Sequence, residues 1–294
     1  MSRAVTVSGE ITASNRQLRR ARLTLLLAAV LWSLAGIFIK FLPLPPLTIV
    51  FYRSFFASLF FALFVRRSSA IFPRVPLLVS TLAYTAAISA FVAANKITTA
   101  ANAIALQYTA PMFVFVIVHF LFDERITGAS WLSLGLGMLG IAVIAAGSAG
   151  QPDAAGVMIA LLSGLLFSIY MVSLRFLKDF NPGTLTFLNN IVCCLILLPL
   201  VASELSLSVR EIWIVAIMGV VQLGIPYWLF SKGLEKIPVQ EASLIVLVEP
   251  VLNPLWVALI VGELPSIATF IGGFCIVASL GFRYLRASLN PQTV

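Results

Sequence analysis

Residues 247–263 read LVEPVLNPLWVALIVGE, an oily run that holds a carboxylate beside a proline (Glu249-Pro250), then Asn253-Pro254, and closes on Glu263. Residues 108–124 read YTAPMFVFVIVHFLFDE. The two stretches have the same length, and both run from a proline to an acid thirteen places on (Pro111 to Glu124, Pro250 to Glu263). A second match lies upstream. LWSLAGIFIKFL (31–42) aligns with LFSIYMVSLRFL (166–177), placing Ser33 on Ser168 and Lys40 on Arg175, and Pro46 and Thr48 then meet Pro182 and Thr184. Any one apolar match is weak. The common order and the nearly constant offset predict a duplication.

Composition sets the solvent. Of 294 residues, 61% are hydrophobic and 10% charged, with a mean hydropathy of +1.06. Soluble domains are about 25% charged. A helix needs about 20 apolar residues to span a bilayer. Ten runs qualify, at about 22–42, 47–65, 76–95, 100–121, 129–148, 154–177, 184–202, 210–233, 240–261 and 266–285. The gaps are short and hold Pro, Gly or charge, as in LPLPP (42–46) and FNPG (180–183). The expected fold is an all-α integral membrane protein of ten transmembrane helices, arranged as two inverted five-helix repeats. The expected divisions are a cytoplasmic segment at 1–21, repeats at 22–148 and 154–286, and a cytoplasmic tail at 287–294. An odd number of spans per copy forces the copies into opposite orientations, an architecture of transporters with a site between the halves.

Charge placement predicts orientation. With the N-terminus in the cytoplasm, fifteen Lys and Arg residues fall inside, only Lys40, Lys96 and Arg210 fall outside, and Arg53 lies within a span. That follows the positive-inside rule, puts both termini in the cytoplasm, and accounts for the net charge of +8 without a nucleic-acid partner. Four arginines (16, 19, 20 and 22) precede the first span, but its apolar run is too long for a cleaved leader. Three cysteines and one histidine supply neither a disulfide framework nor a metal site. Gly135-Leu-Gly137-Met-Leu-Gly140 fits a dinucleotide fingerprint only by letter. It lies inside an apolar span with no strand before it, where small residues let helices approach closely, as does Gly272-Gly273. No cofactor is expected.

Several of these features together resemble the drug/metabolite transporter superfamily, EamA type. They are Trp32-Ser33 in the first helix with Lys40 closing it, Pro45-x-Leu47-Thr48 followed by Arg53 at the second, and a small-residue helix reaching a proline with an acid after it, in two copies. The second copy departs from the pattern with Phe167 for Trp and Asn189 for Arg. Within the superfamily the chain is most similar to bacterial aromatic and neutral amino-acid exporters of the YddG type. The resemblance implies a multi-pass protein of the bacterial inner membrane that exports a small molecule. Export of other metabolites or lipophilic drugs, or carriage of a nucleotide sugar, stands as the alternative. An intramembrane enzyme is remote, because one deep glutamate and one histidine make a poor acid–base set.

Ionisable and polar groups at membrane depth point to function. Glu249 is the one acid deep in a run, and Pro250 cannot donate to the carbonyl of Val246. Asn253 shares the face of Glu249 at i+4. In the other copy Gln107 and Pro111 stand four apart, with Tyr108 adjacent. With Tyr84, Gln222, Tyr227 and Trp228, these residues (Gln107, Tyr108, Glu249 and Asn253) are the expected substrate contacts. Trp32, Lys40, Arg53, Pro111, Glu124, Pro250 and Glu263 are expected to gate or to support structure. Arg53 reads as a cation that snorkels to the outer interface or as a partner for Glu249. The expected partners are the bilayer and a small molecule such as an amino acid; the sequence leaves the oligomeric state open.

Overall fold

The computed structural model of the chain describes residues 2–65, 75–123, 128–148, 154–237, 242 and 245–289. Every regular element among them is helical. Helix α1 (Ser2–Ser33) runs through a turn at Leu34 into α2 (Ala35–Phe41). Leu42 then turns extended at ψ 117°, as a residue before proline must. Pro46 opens α3 (Pro46–Ala62) at a position where no N–H is required. Helix α4 (Val75–Ile97) follows. Thr99 caps the next helix, α5 (Ala100–Gln107), by accepting from the Asn102 N–H. After a turn at Tyr108–Thr109 the chain resumes as α6 (Ala110–Phe122). Helix α7 covers Gly128–Ser148 and α8 covers Ala154–Ser173.

The second half repeats these devices. Asn181 caps α9 (Pro182–Val201), again with proline in its first turn. A Ser208–Glu211 capping box starts α10 (Val209–Ile217). The backbone then widens to a π-helical turn over Met218–Gly224 before α11 (Ile225–Leu234). Pro226 explains the widening: it has no N–H for the carbonyl of Gln222, and released carbonyls favour such bulges. A turn at 247–248 precedes α12 (Glu249–Val261), which ends on Gly262 at φ 78°. Helix α13 (Ile267–Leu289) is the last described element.

Among the described residues, six helical spans are long and apolar enough to cross a bilayer. The other four expected spans fall on α3, α7, α12 and α13, whose described apolar stretches are Pro46–Ala62, Trp131–Gly147, Glu249–Val261 and Ile267–Phe282. The expected span 240–261 is described in part: residues 238–241 and 243–244 lie outside the described residues, 245–246 are helical, and a turn at 247–248 separates them from the helix Glu249–Val261, with Pro250 in its first turn, where no N–H is required.

The protein's exterior is oily and part of its interior is polar, as a chain dissolved in lipid requires. Leu162, Leu195, Trp213, Leu259, Phe270 and Phe274 are exposed, while Ser33, Thr48, Asn95, Asn189 and Asn190 are buried. The heaviest packing joins the first 148 residues to the rest: α4 on α8, α7 on α13, α3 on α9 and α1 on α11. The chain is therefore a multi-pass helical membrane protein whose two halves interlock.

The glycine motifs serve this packing. A Cβ on Gly140 would sit 2.5 Å from the carbonyl oxygen of Gly272, and one on Gly272 equally close to that of Gly140, so α7 and α13 cross backbone to backbone. Gly137 leaves room for the Met112 side chain, whereas Gly135 faces open space.

Candidate functional site

Between the interlocked halves lies a cavity of about 360 Å³. It is built from the helix breaks. Tyr108 ends α5, and its phenol donates to Glu249 Oε2 at 2.8 Å and to the Val246 carbonyl at 3.3 Å. That carbonyl is the one Pro250 cannot serve. The break in one half thus satisfies the break in the other, and the odd residues of 247–263 have a structural reason. The oily run stops being a helix at 247–248, and the carbonyl and carboxylate left there meet a tyrosine across the cavity. Gln107 and Pro111 line the cavity from the first break.

Aromatic rings make much of the wall. Trp32, at the end of α1, stands edge-on to Tyr227 with centroids 5.1 Å apart and lies 5.3 Å from Phe230. Its carbonyl accepts from the Gln222 side chain at 3.2 Å. Opposite in sequence, Tyr84 of α4 and Tyr170 of α8 lie 5.3 Å apart, and Phe167 packs on Tyr170 at 5.5 Å. Two buried amides on α9 hold the phenols: Tyr84 donates to Asn190 at 3.2 Å and Asn189 donates to Tyr170 at 3.4 Å.

Of the eight expected contacts, Tyr84, Gln107, Tyr108, Gln222, Tyr227 and Glu249 line the cavity together, and Trp228 and Asn253 do not. Trp228 is 39% exposed on the outside of α11, and Asn253 is fully buried against Gly36. Helical geometry explains both. Trp228 follows Tyr227 by one residue and so points about 100° away. Asn253 shares a stripe with Glu249, but that stripe turns from the cavity into the α2–α12 seam. Neither atom of its side-chain amide has a partner among the described residues.

The supporting residues divide as well. Trp32, Pro111 and Arg53 line the cavity; Pro250 is buried in the first turn of α12 without lining it; Glu124 lies outside the described residues. Lys40 and Glu263 form a separate cluster. Their ion pair is 2.5 Å long. Lys40 also donates to the Thr98 carbonyl at 3.0 Å, and Glu263 accepts the Ala100 N–H at 2.7 Å. Lys96 donates to the Leu42 carbonyl beside them. Glu263 therefore caps the N-terminus of α5, where a negative charge suits the helix dipole. Arg53 departs from expectation. It does not snorkel: it is 3% exposed and sits against the cavity. Nor does it pair with Glu249, whose carboxylate is held by Tyr108.

Sequence reading missed Phe91, Phe167, Tyr170 and Phe230 as lining residues. The α8 set had a readable signal. Phe167, Tyr170, Met171 and Leu174 recur at i, i+3, i+4 and i+7, one helical stripe, and all four face the cavity.

A model of the EamA-like transporter family matches the chain twice, over residues 19–146 and 154–284. An uncharacterized transporter of Archaeoglobus fulgidus is 28% identical over 267 residues, covering 90% of this chain and 96% of that one. The uncharacterized transporter YxxF of Bacillus subtilis is 24% identical over 93% of this chain and 92% of its own length. A protein of known crystal structure superposes with a TM-score of 0.66 at 20% identity, covering 92% of this chain and 99% of that one. That likeness shows a shared fold.

Proposed function

The chain belongs to the EamA-like transporter family, and from that premise we propose that it carries aromatic and other neutral amino acids by alternating access around the central cavity. It is a membrane transporter of small metabolites; the substrate class is the inference. The observation behind it is the lining. Among the described residues, eight aromatic side chains surround one carboxylate, Glu249, in about 360 Å³. Ligand sites run from about 300 to 1,000 Å³, so the space suits a molecule of amino-acid size. Aromatic walls bind a large apolar side chain by area and by edge-to-face contact. Glu249 is the natural partner of an ammonium group.

A nucleotide sugar fits poorly, because a diphosphate needs several cations and Arg53 is the one basic residue among the described residues of the lining. Two copies of the family model, each covering one of the expected five-helix sets, support an inverted-repeat arrangement. Export across a bacterial inner membrane, with both termini in the cytoplasm, follows from the family resemblance and from the inside bias of Lys and Arg.

The test is transport by reconstituted protein. Phenylalanine, tryptophan and methionine are expected to move faster than glutamate or lysine, whose second charge must be desolvated. Equal transport of charged amino acids or sugar nucleotides rejects the reading.

A further inference from the structure

The cavity holds a feature that an aromatic-lined site does not need. Arg53 is 3% exposed, yet its guanidinium makes no hydrogen bond or ion pair with any described residue, and its Nε is a buried donor with no partner. The surroundings fix it there. Helix α3 is clamped between α9 and the π-helical turn, and that turn presses so closely that a Cβ on Gly219 would sit 2.6 Å from the Arg53 carbonyl oxygen. A guanidinium does not escape burial by losing its proton. A buried charge with no counter-ion is unfavourable, so this position calls for an anion that is not part of the described chain.

Two described acids, Glu249 and Glu204, have partners of their own. Glu249 lines the same cavity but accepts from Tyr108, and Glu204 accepts from Thr48 on α3 at 2.5 Å. Both the cation and the acid of the cavity are therefore without an ionic partner, and their charges sum to zero. A guanidinium offers a planar fork of N–H donors that matches a carboxylate in two parallel bonds. With no second cation among the described lining residues, one singly charged group completes it.

We propose that Arg53 is the carboxylate anchor of the substrate site, so that the cavity selects molecules with one carboxylate and one ammonium group over amines, amides and dianions. The assignment rests on the amino-acid reading above and narrows it: recognition is by the zwitterion, with the aromatic wall reading the side chain.

The experiment uses full-length protein in lipid nanodiscs. Binding is read from thermal stabilisation by L-phenylalanine, L-phenylalaninamide, phenethylamine and 3-phenylpropionate. Wild type is expected to bind phenylalanine about tenfold or more tightly than the amide, the range for a charged hydrogen bond in a buried site. Arg53→Met is expected to abolish that gap and to lose 3-phenylpropionate, while its amide affinity stays within about threefold. A gap that survives in folded Arg53→Met overturns the proposal, as does equal affinity of wild type for acid and amide.

If Arg53→Met does not fold, Arg53→Lys carries the test, since it keeps the charge and loses the fork. A severalfold loss confined to the carboxylates upholds the anchor, and an equal effect on acid and amide overturns it. Failure of the amino-acid reading looks different: wild type then shows no response to phenylalanine. In that case 3-phenylpropionate decides. Stabilisation of wild type but not of the variant upholds the anchor, and stabilisation of neither overturns it.

Discussion

Charge neutralisation at Lys40 tests whether the Lys40–Glu263 pair latches the two halves together. The pair joins the end of α2 to the end of α12, with side chains 15% and 23% exposed. An exposed ion pair contributes about 0–1 kcal/mol, and removing one member of a fully buried pair costs about 3–5 kcal/mol. At roughly one-fifth exposure, Lys40→Met should cost about 2–3 kcal/mol, because Glu263 keeps only the Ala100 N–H as a partner. Glu263→Gln retains an acceptor for that N–H, so its cost should be smaller, about 1–2 kcal/mol. The two changes remove the same contact, so the double variant should lose about 1–2 kcal/mol less than the sum of the singles. The charge-exchanged pair, Lys40→Glu with Glu263→Lys, should recover only part of the stability, since a cation at 263 would face the N-terminus of α5. Denaturant unfolding in mixed micelles reads all four proteins. Additive single effects, with coupling under about 0.5 kcal/mol, would refute a direct latch.

Three other outcomes follow from the packing. Gly272→Val drives a side chain into the Gly140 carbonyl, 2.5 Å from its Cβ, and should cost about 1–3 kcal/mol in thermal melting. Gly273→Ala, whose Cβ lies 3.6 Å from that of Ala105, should leave melting unchanged. Tyr227→Ala should reduce transport of phenylalanine relative to alanine, whereas Trp228→Ala should not alter that ratio, because Tyr227 lines the cavity and Trp228 does not; the ratio of initial rates in proteoliposomes decides. Tyr108→Phe strands the Val246 carbonyl and the Glu249 carboxylate together and should cost about 1–3 kcal/mol, with a larger loss than in a Glu249→Gln background if the phenol acts through that acid.

Much of the site could be read from local chemistry. The paired breaks at Pro111 and Pro250 follow from what proline cannot donate, and the deep polar residues between them follow from the expense of polarity in lipid. Six of the eight expected contacts meet at the cavity for that reason. The failures lie where a single helical face must be chosen. Trp228 stands one residue beyond a lining tyrosine and points outward, while Tyr170 and Phe167 lie in an aromatic-rich stripe of α8 that composition alone does not distinguish from lipid-facing surface.

Solvent and helical class were settled by the sequence itself. Apolar run length, the placement of Lys and Arg, and the recurrence of proline-to-acid spacing are local or periodic properties, and each survives without knowledge of any neighbour. Pairings were not settled there. That Glu249 meets Tyr108 rather than Arg53, that Glu263 meets Lys40 and the start of α5, and that Arg53 lies buried with no acceptor among the described residues all depend on which helices cross and at what rotation. Those contacts join residues 141, 223 and 163 positions apart. A charge reports that it needs a partner. Which partner it finds is fixed only when packing brings distant helices within hydrogen-bond reach.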